Sequence, residues 1–326
     1  MIDPYNRTIN YLRVSITDRC NLRCLYCMPV DGISKIKHEE ILSYEEILRI
    51  VKVAVKKGIT KIRITGGEPL ARKEVVAFVH SLSKINGIKD LSLTTNGILL
   101  KDFASELFDS GLHRVNISMD SLDHVKFKNI TRGGDFKKVL DGIEEAKKIG
   151  FSPIKINTVI IRDFNDGEVI DFAKLSIHNP YHIRFIELMP IGSNSEWNKD
   201  RYISSQEAKD KIESFEKLCP IHKKGERAAA RMYKFEGAMG EIGFISPMSD
   251  HFCSSCNRLR LTANGKLRAC LFSNEEVDLK PSLRESHDNS ELARLIDLAI
   301  SNKPENHHIE KENPKKCSQN MSAIGG

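Results

Sequence analysis

Two groups of cysteines are the residues best placed to do chemistry in this chain. Cys20, Cys24 and Cys27 stand in the run Thr17-Asp-Arg-Cys-Asn-Leu-Arg-Cys-Leu-Tyr-Cys-Met28, with spacing C-x3-C-x2-C. Cys253, Cys256 and Cys270 form a C-x2-C pair followed by a third Cys after thirteen residues. Each group offers three thiolates, one fewer than the four protein ligands of a closed structural zinc site. A 4Fe–4S cluster held by three thiolates keeps one iron open to an outside ligand, and it suits both groups. Zinc is the alternative, with His38 completing a Cys3His set at the first group and His251 at the second. Plain buried thiols are a further alternative at the first. The remaining two of the eight cysteines, Cys219 and Cys317, fit neither pattern and read as ordinary residues.

Composition sets the surroundings of these thiols. The chain has 326 residues, 40% hydrophobic and 29% charged, with 20 Gly, 11 Pro and a mean hydropathy of −0.34. These values exclude disordered, collagen-like and coiled-coil chains. No apolar run reaches the ~18–20 residues of a membrane span. The first residues are polar where a secretion signal is apolar, so the expected location is cytoplasmic. In that reducing compartment clustered thiols bind metal or catalyse rather than pair as disulfides. The net charge of +6 and pI of about 8.8 are compatible with a small anionic substrate and are weak evidence for nucleic acid.

The elements that must position the cysteines alternate in type. Strands are expected at residues 12–17, 61–65, 90–95, 114–118, 154–159 and 182–187. Helices are expected at 44–57, with Ser43 as N-cap and Gly58 beyond its end, and at 73–85, 101–110, 136–149 and 168–176. Six such units predict a parallel sheet. The fold class is α/β, an open or partial (βα)6 TIM-like barrel, with a doubly wound sheet as the alternative. After about Pro190 the regularity fails. The expectation there is a helix within 201–216, a strand or hairpin at 237–245, a Cys-bearing loop over 246–272 and a helix at 290–300. Residues 302–326 are polar and aperiodic, and mobile unless something holds them; burial of Ile324 is expected to anchor the end, with the tail reaching into the barrel near Arg260. Two domains follow, 1–215 and a C-terminal region at 216–326.

The first cysteine run, with Tyr26 before its last Cys, and Gly66-Gly67-Glu68-Pro69 after the second strand resemble the radical S-adenosylmethionine (SAM) enzymes. That resemblance implies a 4Fe–4S cluster whose open iron binds SAM and whose electron cleaves it to methionine and a 5′-deoxyadenosyl radical. Adding Cys253, Cys256, Cys270, the dipeptide-flanked Arg258-Leu259-Arg260 and the final Gly325-Gly326 narrows it. The set is similar, from Leu12 to Gly326, to the radical SAM enzymes that cyclise GTP in the first step of molybdenum cofactor biosynthesis. A C-terminal extension with a second 4Fe–4S cluster is then implied, its open iron binding guanine.

Residue by residue, the resemblance implies SAM contacts at Tyr26, Gly67, Ser118 and Met189. It implies GTP contacts at Arg13, Arg63, Thr94, Lys155, Arg258, Leu259 and Arg260, and catalytic roles for Arg13, Gly325 and Gly326. The chain has no P-loop motif, so side-chain cations must meet the triphosphate, and Arg matches phosphate oxygens well. Arg184 on the sixth strand is a further candidate, and Asn96 has no assignment. The implied partners are GTP, an electron donor and, by product hand-off, a cyclic pyranopterin monophosphate synthase. A homodimer is compatible; nucleic acid and membrane are not expected. The rival readings are a peptide-modifying radical SAM maturase and a zinc-stabilised, non-catalytic nucleic-acid binder.

Overall fold

In the computed structural model, residues 1–191, 199–221, 229–285, 288–307 and 321–325 are described. The strands are β1 (Tyr11–Ser15), β2 (Lys61–Thr65), β3 (Asp90–Thr95), β4 (Arg114–Ser118), β5 (Ile154–Ile160), β6 (Tyr181–Glu187), β7 (Cys219–Pro220), β8 (Arg231–Lys234), β9 (Glu241–Ile245), β10 (Arg258–Leu261), β11 (Lys266–Arg268) and β12 (Val277–Asp278). The helices are α1 (Tyr44–Lys56), α2 (Val75–Ser83), α3 (Leu100–Asp109), α4 (His124–Thr131), α5 (Phe136–Ile149), α6 (Val169–His178), α7 (Ser205–Glu213), α8 (Lys280–Arg284), α9 (Ser290–Ser301) and α10 (Met321–Ile324).

All twelve strands form one sheet in the order β12-β11-β10-β1-β2-β3-β4-β5-β6-β9-β8-β7. The consecutive order β1 to β6 has no reversal point, which rules out the doubly wound alternative. The sequence shows six parallel strands, but the structure has eight. β10 joins β1 in parallel and β9 joins β6 in parallel, and both come from the C-terminal region. Antiparallel strands β11–β12 and β8–β7 finish the two edges.

Period-two alternation sorts the strand residues. Leu12, Val14, Ile62, Ile64, Val115 and Ile117 are fully or almost fully buried in one core with Ile47 and Ile50 of α1, Phe78 of α2, Leu107 of α3 and Val139 of α5. Burying a side chain of this kind stabilises by roughly 1.5–3 kcal/mol. The alternate residues, Arg13, Arg63, Thr94 and Ser118 among them, face a cavity on the other side of the sheet. Local signals fix the helix entries. Ser43 Oγ accepts from the Glu46 amide at 3.2 Å while the Ser43 amide donates to the Glu46 carboxylate at 2.7 Å. Such a capping box holds the start of α1 for about 1 kcal/mol. Gly150 closes α5 at φ +107°, a conformation few side chains tolerate.

Two expectations need correction. Residues 246–272 are not a plain loop, because Arg258-Leu-Arg-Leu261 pairs with β1 and buries Leu259 and Leu261. Helix α4 lies where none was expected; it buries Phe127, Ile130 and Thr131 and is capped by Asp123, which accepts from the Val125 and Lys126 amides. The end of the chain is held as expected: Ile324 is fully buried against Ile191, Met189, Leu271 and Phe272. Among the described residues no helix is long and apolar enough to cross a membrane.

Candidate active site

Every one of the eight parallel strands sends at least one side chain into the cavity, and both cysteine groups stand on its wall. The first group follows β1 directly. Its loop lies against the β2–α2 connection, where the Gly67 amide donates to Thr17 O and the Glu68 amide to Arg19 O, each at 2.8 Å. A Cβ on Gly67 would stand 2.2 Å from Arg19 O, and one on Gly66 would stand 2.5 Å from Thr17 O. The two glycines are therefore required by the backbone of the cysteine loop, in addition to any ligand.

Cys20, Cys24 and Cys27 are only partly exposed. Burial pushes all three thiols up, with Glu68 adding to it at Cys20; Cys27, repelled also by Cys20, reaches about 12, and Cys24 is raised as well by Cys27, Asp120 and Cys20. Three thiols so placed ionise together only around a cationic centre, so the donor set fits a metal cluster. His38, the candidate fourth zinc ligand, does not line the cavity. Beside this group the Tyr26 hydroxyl donates to Asp120 at 2.8 Å. Burial pushes Asp120 up to about 6 despite the Val159 amide and Tyr26 hydrogen bonds. Buried Glu68, raised to about 7, accepts from Thr95 Oγ1, the Asn96 amide and the Leu70 amide. Gly67, Ser118 and Met189 line the same part of the cavity.

Opposite them the sheet register builds a cationic wall. Arg63, Arg13 and Arg260 are direct neighbours across β2, β1 and β10, and Arg258 sits one row away beside Tyr11. All three of the aligned arginines are nearly fully buried. Like charges paired across strands destabilise a sheet unless an anion lies between them. Burial, then Arg258, pulls Arg260 down to about 10. Burial, then Arg260 and Arg63, holds Arg13 well below the ordinary guanidinium range. On β5 and β6, burial and neighbouring arginines lower Lys155 to about 6 and Arg184 to about 9. Thr94 Oγ1, Arg184 Nε and Asn157 Oδ1 are buried without a hydrogen-bond partner among the described residues. Thr94 Oγ1 and Arg184 Nε are donors, and donors beside compressed cations fit a polyanionic ligand.

Not every expected residue reaches the cavity. Leu259 alternates into the core, so only its main chain faces this side. Lys155 is buried just behind the wall, two residues before Asn157. Gly325 enters: its carbonyl accepts from Arg260, and Met321 and Ser322 line the cavity. Gly326 and Cys317 lie outside the described residues.

At the second group, Cys253 is pushed up chiefly by burial, whereas Lys303 and Arg258 pull Cys256 down against burial. Ligand atoms of His251, Cys253 and His307 lie within 4.8 Å of one another. Sequence reasoning did not reach Asp120, Lys303 or His307 as site residues. Asp120 follows Ser118 at the end of an expected strand, which was a usable signal; Lys303 and His307 carried none.

A barrel-like sheet with three cysteines after β1 and a Gly-Gly-Glu-Pro turn after β2 defines a radical SAM enzyme. Residues 14–176 match the Radical SAM superfamily, and residues 181–309 match Molybdenum Cofactor Synthesis C. Among solved structures, SuiB of Streptococcus suis shares the fold, with TM-score 0.63 at 14% identity over 91% of this chain and 67% of that one. The chain is 49% identical to the GTP 3′,8-cyclase of Alkaliphilus metalliredigens and 51% identical to that of Thermodesulfovibrio yellowstonii, each over 100% of both chains. It belongs to the GTP 3′,8-cyclase family. Its activity is accordingly the SAM-dependent cyclisation of GTP to (8S)-3′,8-cyclo-7,8-dihydroguanosine 5′-triphosphate, the first step of molybdopterin biosynthesis, and its cofactors are two 4Fe–4S clusters and SAM.

Proposed function

We propose the following division of labour for this lyase reaction. Cys20, Cys24 and Cys27 hold the first cluster, and Cys253, Cys256 and Cys270 hold the second. Bound in these places, the first supplies an electron to SAM and the second an open iron to guanine. Tyr26, Gly67, Ser118 and Met189 bind SAM on the wall nearest the first group. Asp120 fixes the Tyr26 ring through the hydroxyl contact of 2.8 Å.

Arg13, Arg63, Arg258 and Arg260 grip the GTP phosphates, with Thr94, Lys155, Arg184 and the Leu259 main chain completing the contacts. The observation that carries this reading is the row Arg63–Arg13–Arg260, set side by side by the register of three strands. A bound polyanion relieves the repulsion within such a row. Positioning by it holds the ribose against the adenosyl side of the cavity and excludes water from the reacting face. Arg13, Gly325 and Gly326 form the catalytic end of the site, where the tail carbonyl bound by Arg260 limits the space open to the substrate radical.

The functional division of the chain is 1–215 for SAM chemistry and most of the phosphate contacts, and 216–326 for the second cluster with Arg258, Arg260 and the tail. The enzyme works in the cytoplasm, draws on a separate electron donor, forms a homodimer and hands its product to cyclic pyranopterin monophosphate synthase. Anaerobic turnover with SAM, a reductant and each of the four nucleoside triphosphates tests the substrate assignment. Only GTP should give the 3′,8-linked product, and Arg63→Met should raise the GTP requirement while sparing SAM binding.

A further inference from the structure

The loop that carries Cys253, Cys256 and Cys270 is bounded by two cations from distant parts of the chain. Arg7, 2% exposed, donates to the main-chain oxygens of Cys253 at 2.9 Å, Glu305 at 2.8 Å and Pro304 at 2.8 Å. Its charge is met by Asp3, whose carboxylate lies 2.6 Å from Nε. Lys303 is as deeply buried, at 3% exposure. Its Nζ donates to the carbonyls of Arg258 at 2.9 Å and Ala269 at 2.5 Å. Those carbonyls lie two residues after Cys256 and one before Cys270.

Lys303 differs from Arg7 in its counter-charge. The two carbonyls hold it beside Cys256 and Cys270, and among the described residues no carboxylate pairs with it. A buried ammonium left without an anion costs several kcal/mol. The anion that offsets it must be the thiolate-ligated centre itself. The reduction potential of an iron–sulfur cluster follows its net charge and the hydrogen bonds to its sulfurs. A fixed cation at Cys256 stabilises the more negative, reduced form.

We propose that Lys303 is a positioning residue for the second cluster: held by the Arg258 and Ala269 carbonyls between Cys256 and Cys270, its ammonium raises that cluster's reduction potential. The inference rests on Cys253, Cys256 and Cys270 being the ligands. Asp3-paired Arg7 anchors the loop backbone, and Lys303 sets its charge.

The test is an EPR-monitored redox titration of anaerobically purified holoenzyme, with iron counted per chain. The first cluster, identified by its response to SAM, is the internal reference. Lys303→Met with about eight irons per chain should show the oxidised-to-reduced ratio of the second cluster raised at least tenfold at fixed ambient potential. For a one-electron couple that is about 59 mV. The first cluster should not move, and Lys303→Arg should restore the second. A fully loaded Lys303→Met enzyme with an unmoved second potential overturns the proposal. If Lys303→Met loses the second cluster, Lys303→Gln, which keeps donors without charge, decides. A lowered potential supports the proposal; an unchanged potential, or loss of iron there too, makes Lys303 purely structural and overturns it. A parent enzyme with only about four irons overturns the ligand assignment instead, and the inference with it.

Discussion

Replacing Gly325 by Ala should uncouple radical formation from cyclisation. The backbone there has φ +72°, and an added Cβ would stand 2.8 Å from Thr65 Cγ2 and 3.3 Å from Ser15 Cβ. A left-handed non-glycine residue costs roughly 1–2 kcal/mol, and forcing a methyl into packed surroundings costs roughly 1–3 kcal/mol more. What holds the segment is of the same size. Full burial of Ile324 contributes roughly 1.5–3 kcal/mol, and the Arg260 hydrogen bond to the Gly325 carbonyl contributes roughly 1.5–3 kcal/mol. Even a loss of about 2 kcal/mol lowers the docked-to-released ratio about 30-fold. In anaerobic turnover with GTP, the yield of 3′,8-linked nucleotide per 5′-deoxyadenosine should therefore fall at least tenfold, with SAM cleavage largely retained. Thr65→Ser removes the methyl that the new Cβ would strike and keeps the hydroxyl. The double variant should recover part of the yield and leave the backbone cost. A Gly325→Ala enzyme with the parent yield would refute the reasoning, and a double variant no better than the single one would remove the contact as its cause.

Cys24→Ala should abolish 5′-deoxyadenosine formation, measured by chromatography of anaerobic reactions, whereas Cys270→Ala should keep uncoupled SAM cleavage and lose the cyclised product. Arg184→Met should weaken GTP binding about 10–100-fold in equilibrium dialysis, since the buried Arg184 Nε has no hydrogen-bond partner among the described residues. Burial together with Arg184, Arg114 and Arg63 lowers Lys155 to about 6 in the free protein, so above that pH it is neutral and a bound triphosphate recharges it. GTP binding should then take up a proton between about pH 6 and the ordinary lysine range, and none below pH 6; calorimetry in buffers of different ionisation enthalpy checks this, and Lys155→Met should remove the uptake. The sign for stability is the same: the unfolded chain binds the extra proton in that window, so the free protein gains stability as pH rises through it.

Much of the barrel was legible because strand and helix periods do not overlap. Residues 61–65, 90–95 and 114–118 are strands at the expected bounds, each rich in β-branched or apolar residues on alternate positions. Strand β10 was hidden by the chemistry it carries. In Arg258-Leu-Arg-Leu261 the inward positions are guanidinium groups, so the run reads as solvated loop unless the cavity is known. Helix α4 was missed because eight residues with few buried positions give too short a periodic signal. The cysteines announced themselves by spacing. Asp120 and Lys303 owe their roles to contacts made across long stretches of chain, and no local pattern encodes these, whereas Ile324 was legible as the one apolar anchor before the terminal glycines.

The pairing of β10 with β1 sets a clock on biosynthesis. Asn10 and Asn257, which hydrogen-bond at the start of that pairing, are 247 residues apart. At ribosomal speeds of about 5–20 residues per second, roughly 10–50 s separate their emergence. During that interval β1 is an open edge able to recruit a wrong strand. The nascent chain already displays the first cysteine triad on a half-built wall, without the second triad or Arg260. An iron-loading system that acted this early would arm a radical generator that has no substrate to spend the radical on. Metallation of the finished chain, after β10 has closed on β1, avoids that damage.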